Sequence, residues 1–329
     1  MKVALLHNAR PASASADLPD DAFEEYDSES TIAGIAGALR KMHVDVEPVI
    51  ADARLPWRLT EGKFDFAFNM AEGQGRRCRE AIPAAVCELL GTPFTGSDAL
   101  TLGMTLDKSI AKRVVSPNVP VSRGVLLESD GEEAALAALS FPVIVKPNDE
   151  GSSKGIRENP VASDVAGAVT RCRWLRERYG CPVLVEEFLE GTEVTVGVVG
   201  NRLEARVLGM MEIAPASQTG HFVYSLEAKR DYIRQVRYFT PPRLPLQSNT
   251  LLRKFALTAY RLLGCRDIAR IDFRLDVRGV PHFIECNPLP GLNPVTGDIV
   301  ILSRDTLPYE ELVQNVLRDA MRRVGMDPL

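Results

Sequence analysis

Ala269-Arg-Ile-Asp-Phe-Arg-Leu-Asp276, followed after a short turn by His282-Phe-Ile-Glu-Cys-Asn-Pro-Leu-Pro-Gly291, is the stretch that decides how this chain folds. Side chains alternate along a strand, so Arg270 and Asp272 share one face, as do Glu285 and Asn287. Ile271, Phe273, Phe283 and Ile284 mark both strands as internal and argue against a solvated face with incidental charges. If the two strands are neighbours, Asp272, Glu285 and Asn287 present only oxygen ligands at one locus. Hard oxygen donors select Mg²⁺, which a nucleotide's phosphates would also hold. Arg270 beside them could hold a transferring phosphoryl group or a developing oxyanion.

Upstream lies Pro142-Val-Ile-Val-Lys146-Pro-Asn-Asp-Glu-Gly151-Ser152-Ser153-Lys154-Gly155. An apolar strand over Phe141–Lys146 delivers a lysine to a loop, Asn148–Gly155, with two glycines and two serines. Glycines let backbone N–H groups approach a phosphate closely, and the hydroxyls and Lys154 add donors. The spacing is not that of a P-loop, so a different nucleotide cradle is implied; read alone, the loop is equally a polar hairpin. Glu186-Glu187-Phe188-Leu189 and Glu193 follow a strand at Pro182–Glu187 and, taken with the loop, look like a nucleotide hinge. Asp107-Lys108 and Lys112 meet on one helical turn, which alone reads as an ordinary exposed helix face.

Further outward, the first hundred residues alternate in type. Strands are expected at Lys2–His7, Val44–Ile50 and Phe64–Phe68. Helices are expected at Ser28–Lys41, with Ile32, Ile35, Ala36 and Leu39 on one face, and at Ala81–Leu90, stopping at Gly91. Such alternation predicts a parallel sheet with flanking helices. Beyond Gly96 the reading gives helices at Leu106–Val115, Val161–Tyr179, Thr250–Leu263 and Tyr309–Val324. It adds strands at Val194–Val199, Leu203–Met211, Ile268–Leu275 and Pro281–Asn287. Ala214–Arg237 reads as a polar loop without hydrophobic pattern, and a connection of that length is usually functional or mobile.

The bulk properties bound the function. The chain has 329 residues, 45% hydrophobic and 25% charged, with a net charge of −5, the balance of a soluble globular protein of two or three sub-domains. An acidic chain gives no electrostatic reason to expect a nucleic-acid or anionic-membrane partner. No run approaches the roughly 20 apolar residues of a membrane helix, and the N-terminus reads as a buried strand, not a signal peptide. Cys78, Cys87, Cys172, Cys181, Cys265 and Cys286 have no metal or redox spacing. Free thiols in a cytoplasmic protein are expected. His7, His43, His221 and His282 form no spaced pair, which argues against a zinc site.

In this order, these residues resemble the ATP-grasp superfamily, and specifically the D-alanine–D-alanine ligase group, most strongly from Gly91 (GTPFTGSDALTLGMTLDKSIAKR) to Gly291. The resemblance implies an α/β protein in which ATP lies between two antiparallel sheets and an N-terminal parallel-sheet domain completes the substrate site. Boundaries at 1–96, 97–185 and 186–329 follow from it. The implied reaction phosphorylates a carboxylate and lets an amine displace phosphate. ATP and Mg²⁺, as two ions that Mn²⁺ could replace, are the implied cofactors; amino-acid-like substrates and a homodimer are the implied partners. By position, Lys108 and Lys146 match the lysines on the ATP phosphates, and Ser152, Ser153 and Gly155 match the lid. Glu186 and Glu193 match adenine and ribose contacts, with hinge backbone at Glu187 and Leu189. Lys229 matches the lysine of a mobile loop, and Asp272, Glu285 and Asn287 match the metal ligands. Arg270 and the Gly291 N–H match the groups facing the tetrahedral intermediate.

The chain also departs from that pattern. His7-Asn8-Ala9-Arg10 replaces a glycine pair. Glu24 aligns best with a glutamate that grips the first substrate's ammonium, with Glu25, Asp27 and Glu29 as competitors. The segment from Asn69 through Glu72 and Gly75 to Arg79-Glu80 replaces another family signature. Arg230 stands where dipeptide-forming members carry a tyrosine bonded to the lid serine, Ser152, and Thr296 replaces the serine expected on the second substrate's carboxylate. A guanidinium cannot accept a hydrogen bond, so Arg230 is expected to favour an anionic group, in the substrate or in Glu24 and its neighbours. Both substrate pockets therefore read as remodelled, and acidic or larger amino acids are expected to outperform D-alanine.

Overall fold

A computed structural model describes residues 1–8, 18–75, 77–157, 159–217 and 220–328. The first unit holds β1 (Lys2–His7), α1 (Glu29–Arg40), β2 (Asp45–Ile50), α2 (Leu55–Gly62), β3 (Phe66–Asn69) and α3 (Ala81–Leu90). Its three strands form a parallel sheet in the order β2-β1-β3. Both faces of β1 are buried, which is why its sequence is a continuous apolar run and not an alternating one. Ser28 caps α1 by accepting from the Thr31 N–H, and α3 ends at Gly91 in the left-handed region, as a C-terminal glycine should. Helix α2 has no counterpart in the sequence reading; its apolar contribution to the core is only Leu55 and Leu59.

Two helices lead to the second sheet: α4 (Ala99–Leu106) and α5 (Lys108–Val115). The expected single helix at Leu106–Val115 is broken at Asp107, whose extended backbone lets its carboxylate cap α5 by accepting from the Ile110 N–H at 3.0 Å. Then come β4 (Gly124–Leu127), β5 (Val143–Pro147), β6 (Val161–Ala162), α6 (Val165–Tyr179) and β7 (Val183–Glu187), giving an antiparallel sheet β4-β7-β5-β6. Helix α6 starts four residues later than expected because Asp164 caps it, and Val161–Ala162 pair with β5 instead.

The third unit begins with β8 (Glu193–Val199), β9 (Arg206–Pro215), α7 (Leu226–Arg230), α8 (Tyr232–Gln235) and β10 (Val236–Phe239). It continues through α9 (Leu246–Leu262), β11 (Ile268–Leu275), β12 (Pro281–Asn287), α10 (Asp298–Ser303) and α11 (Tyr309–Arg323). The sheet order is β10-β9-β8-β11-β12, antiparallel throughout. The segment expected as one unpatterned loop, Ala214–Arg237, thus contains two short helices and strand residues, with Phe222, Tyr224 and Tyr232 packed on the main core.

Alternation decides which faces meet. Val194, Val196, Val198, Ile271 and Phe273 pack against α9, while Val143, Val145, Val183 and Val185 pack against α6. The opposite faces, carrying Lys146 and Glu186 on one sheet and Arg270 and Asp272 on the other, are left to face each other across a cleft.

Candidate active site

Strands β11 and β12 are neighbours, and their register sets Arg270 opposite Asn287 and Asp272 opposite Glu285. The oxygen set expected from the sequence is therefore gathered at one place. Arg270 donates to Asp272 Oδ2 at 2.9 Å and to Asp298 Oδ2 at 3.0 Å. Thr195 donates to Asp272 Oδ1 at 2.5 Å, and Asn287 Nδ2 to Asp272 Oδ2 at 3.1 Å. Lys108 Nζ lies 3.2 Å from Glu285 Oε2. Burial raises the Asp272 carboxyl despite Arg270. Burial would raise Glu285 too, but Lys108, Lys146 and Arg270 outweigh it and hold Glu285 down to about 2. Among the described residues no group of three His, Cys, Asp or Glu could hold a metal. The set here is two carboxylates and an amide oxygen, a donor chemistry that fits a hard cation such as Mg²⁺ or Mn²⁺.

Lys108 and Lys112, read alone as an exposed helix face, are instead buried at 4% and 7% exposure. Lys112 and Lys146 grip the two oxygens of Glu186 at 2.6 and 2.7 Å. Burial would raise Glu186, yet the two ammonium groups hold it below the usual carboxylate range. The hinge runs on from there. Glu187 turns its carboxylate outward, accepting from the Ser140 N–H at 2.9 Å. Arg274, next in line on β11, donates to the Leu189 carbonyl at 2.5 Å, to Glu193 Oε2 at 3.1 Å and to the Phe222 carbonyl at 2.6 Å. Its guanidinium sits 4.5 Å above the Phe188 ring. Two of the acceptors that the sequence reading reserved for a nucleotide, the Leu189 carbonyl and Glu193, are thus held by a side chain of the protein, and the cleft is narrow, about 90 Å³.

The glycine-bearing loop carries strain. Ser152 and Ser153 both sit at positive φ, 49° and 60°, a region side chains rarely adopt. At Gly155 a Cβ would meet Pro147 at 2.6 Å, so only glycine fits. The loop is held down on several sides. Gly151 N–H donates to Glu25 at 2.8 Å, Gly155 N–H to Asp21 at 3.1 Å, and Ser153 Oγ to the Tyr224 carbonyl at 3.0 Å. Ser152 has no such bond and lines the neighbouring cavity. Lys229 lies half-buried at the cleft, 5.7 Å from the Tyr224 ring.

That neighbouring cavity, of about 460 Å³, is reached across Arg270, which lines both spaces. Glu24, Glu25, Asp27, Gly291 and Thr296 all border it. Glu29, the fourth competitor, lies exposed in the first turn of α1 and does not. Arg230 is committed to the chain itself: it binds Glu24 at 2.7 Å and Asp20 at 2.9 Å. Of the two anionic partners expected for it, the protein's own carboxylates are the ones engaged. Asn8 ties the end of β1 to the remodelled segment, accepting from Gly73 N–H at 2.8 Å. Ala9, Arg10 and Arg76 lie outside the described residues.

Three functional side chains escaped the sequence reading of roles. Lys112 was visible only as a helix neighbour, and Arg274 only as a charge between two apolar residues, Phe273 and Leu275. Arg79 was quoted as a departure, yet it is 5% exposed and binds Glu25 at 2.7 Å and the Asp149 carbonyl at 2.8 Å, tying the N-terminal segment to the lid.

A family model described as "D-ala D-ala ligase C-terminus" matches residues 118–318. A protein named D-alanine–D-alanine ligase from Anaeromyxobacter sp. (strain Fw109-5) is 33% identical over 97% of this chain and 96% of its own length. Among solved structures, a D-alanine–D-alanine ligase from Bacillus anthracis complexed with ATP superposes with a TM-score of 0.73 at 20% identity, covering 99% of both chains. The VanG D-Ala:D-Ser ligase of Enterococcus faecalis gives a TM-score of 0.73 at 20% identity over 97% of this chain and 99% of that one. These last two likenesses establish the fold.

Proposed function

The chain belongs to the D-alanine–D-alanine ligase family, and from that premise we propose that it uses ATP to join the carboxylate of one amino acid to the amine of another. The observation that carries this reading is Arg270, a partly buried guanidinium standing where the cleft with Lys108, Lys146, Asp272 and Glu285 opens into the 460 Å³ cavity. In the reaction, a substrate carboxylate oxygen attacks the γ-phosphorus and ADP departs, leaving an acyl phosphate. The amine nitrogen then attacks the acyl carbon, phosphate leaves, and the nitrogen gives up one proton.

Positioning and electrostatics supply most of the rate in such a transfer. Lys108 and Lys146 neutralise charge on the phosphates, and Arg270 with the Gly291 N–H faces the oxyanion. Ser152, Ser153 and Gly155 lie over the phosphates, with Lys229 beside them, while the Glu186–Leu189 hinge and Glu193 take the base and ribose. Asp272, Glu285 and Asn287 would hold Mg²⁺, which supplies neutralisation of the transferring phosphoryl group. The lid excludes water from an intermediate that water would hydrolyse. The proposed division into three sub-domains, near 1–96, 97–185 and 186–329, is supported by the three separate sheets, with β7 (Val183–Glu187) running across the second boundary, and closing one sub-domain on another assembles the site. A homodimer is proposed on the family resemblance. A cytoplasmic location is supported by six cysteines, none in a disulfide among the described residues and five of them buried. No helix among the described residues is long and apolar enough to cross a membrane.

D-alanine for both substrates is the second reading, favoured by the name of the 33% identical relative. Phosphate release from ATP with a panel of D- and L-amino acids tests both. Amino-acid-dependent release supports the ligase, and release led about tenfold by D-alanine alone selects the second reading. Release that no amino acid stimulates overturns both.

A further inference from the structure

Three carboxyl groups on the wall of the 460 Å³ cavity are not directly paired with a cation of the chain, although the Arg79 charge acts on Glu72 and Glu80 and that of Lys108 on Glu80. Asp27, Glu72 and Glu80 all border it, and among the described residues no lysine, arginine or histidine forms an ion pair with any of them. The other charges there are balanced. Glu25 is held by Arg79 and Lys154, Glu24 by Arg230, and Arg270 by Asp272 and Asp298. Burial pushes Asp27 and Glu80 up to about 7 each, and burial with the charges of Glu80 and Glu25 drives Glu72 well above the usual range. Ionised and unpaired, such groups are costly to keep out of water, and a cation brought by a ligand removes that cost.

Asn69 supplies an independent observation. It is 5% exposed, borders the same cavity, and its Oδ1 accepts from the Ala71 N–H at 3.2 Å, while its Nδ2 has no hydrogen-bond partner among the described residues. A buried orphan donor asks for an acceptor on the ligand. The cavity therefore offers a donor for a carboxylate and three acceptors for positive charge. One α-ammonium group satisfies one of them. Arg230, saturated by Glu24 and Asp20, leaves nothing there for an acidic side chain.

We propose that this cavity selects an amino acid with a second ammonium group, a diamino or basic amino acid, whose side-chain charge is received by Glu72 and Glu80. The inference rests on the ligase reading and names the substrate class for it.

Phosphate release is measured at pH 8 with lysine, ornithine and 2,4-diaminobutyrate of both chiralities, against norleucine, alanine and glutamate. The best diamino acid is expected to exceed norleucine in kcat/KM by about tenfold or more. The Glu72→Gln/Glu80→Gln variant is expected to lose that ratio, and so is each single variant in part. Loss of unpaired buried carboxylates should not unfold the chain, which a melting temperature at or above wild type confirms. In wild type, lysine-class compounds with a non-hydrolysable ATP analogue should raise the melting temperature more than norleucine does. Norleucine, alanine or glutamate leading the panel, or an unchanged ratio in the variants, overturns this inference and leaves the ligase standing. Phosphate release stimulated by no amino acid of any class overturns both together.

Discussion

Asp272 and Glu285 face each other across β11 and β12, and each already holds a cation of the chain, Arg270 and Lys108. On the roles proposed for them, removing either charge releases a phosphate-directed group as well as a metal ligand. Asp272→Asn and Glu285→Gln are each expected to lower kcat by roughly a hundredfold or more while circular dichroism stays unchanged. Wild-type kcat for both variants at saturating Mg²⁺ would remove the metal assignment. Asp27 and Glu80 give a different signature. Their ordinary values lie near 4, and burial lifts both to about 7. Between those limits the folded chain holds protons that the unfolded chain gives up. Their contribution is complete below about pH 4 and is lost as pH rises to about 7, at up to about 1.4 kcal/mol per pH unit for each fully titrating group. The apparent melting temperature should fall from pH 5 to pH 8, and Asp27→Asn should flatten that fall; an identical slope in the variant would count against it. At this scale the sequence was legible wherever chemistry is local. Asp272, Glu285 and Arg270 declare themselves by strand alternation. The burial of Lys112 does not, because it depends on Glu186, a residue 74 positions away.

At the scale of elements, the lid and the Ala214–Arg237 segment behave as one piece. Ser153 Oγ donates to the Tyr224 carbonyl and the Leu226 N–H donates to the Ile156 carbonyl at 2.9 Å. Arg230 in α7 then fastens both to Asp20 and Glu24. Opening one should therefore open the other. Hydrogen exchange is expected to show Gly151–Ile156 and Leu226–Gln235 exchanging at similar rates, both slowed by a non-hydrolysable ATP analogue. Arg230→Ala should speed both. Independent rates, or no response to the analogue, would show that they are not a common lid. Strands and caps of this fold were readable: Ile268–Leu275 and Pro281–Asn287 fall where the apolar pattern puts them. What was missed is short. Helices α2 and α4 have eight residues each, and α7, α8 and α10 have five, four and six, too few for a clear periodic pattern, and they exist because the core holds them. The breaks at Asp107 and Asp164 are cap signals inside stretches that propensity alone would run together.

Seen whole, the molecule is two antiparallel sheets turned face to face, with the parallel-sheet unit closing one end. No sequence pattern announces how tightly the cleft is filled, because Arg274 bonds to residues 85, 81 and 52 positions away. That side chain joins the hinge, β8 and the connection before α7. It occupies the Leu189 carbonyl and Glu193, so a nucleotide using the same acceptors must displace it. Burial lowers the Arg274 guanidinium and raises Glu193, so the pair survives on their mutual attraction. In Arg274→Met the carbonyls and Glu193 are left without a partner, and removal of a charged hydrogen-bonding group is expected to destabilise the free protein by about 1–3 kcal/mol. A nucleotide's amino group and ribose hydroxyls can then satisfy those same atoms without competition. ATP-analogue affinity by calorimetry is therefore expected to rise several-fold in Arg274→Met, with the melting temperature low without nucleotide and largely restored with it. Affinity that falls instead would mean that Arg274 holds the nucleotide, and that the cleft closes around its ligand by keeping this contact and not by trading it.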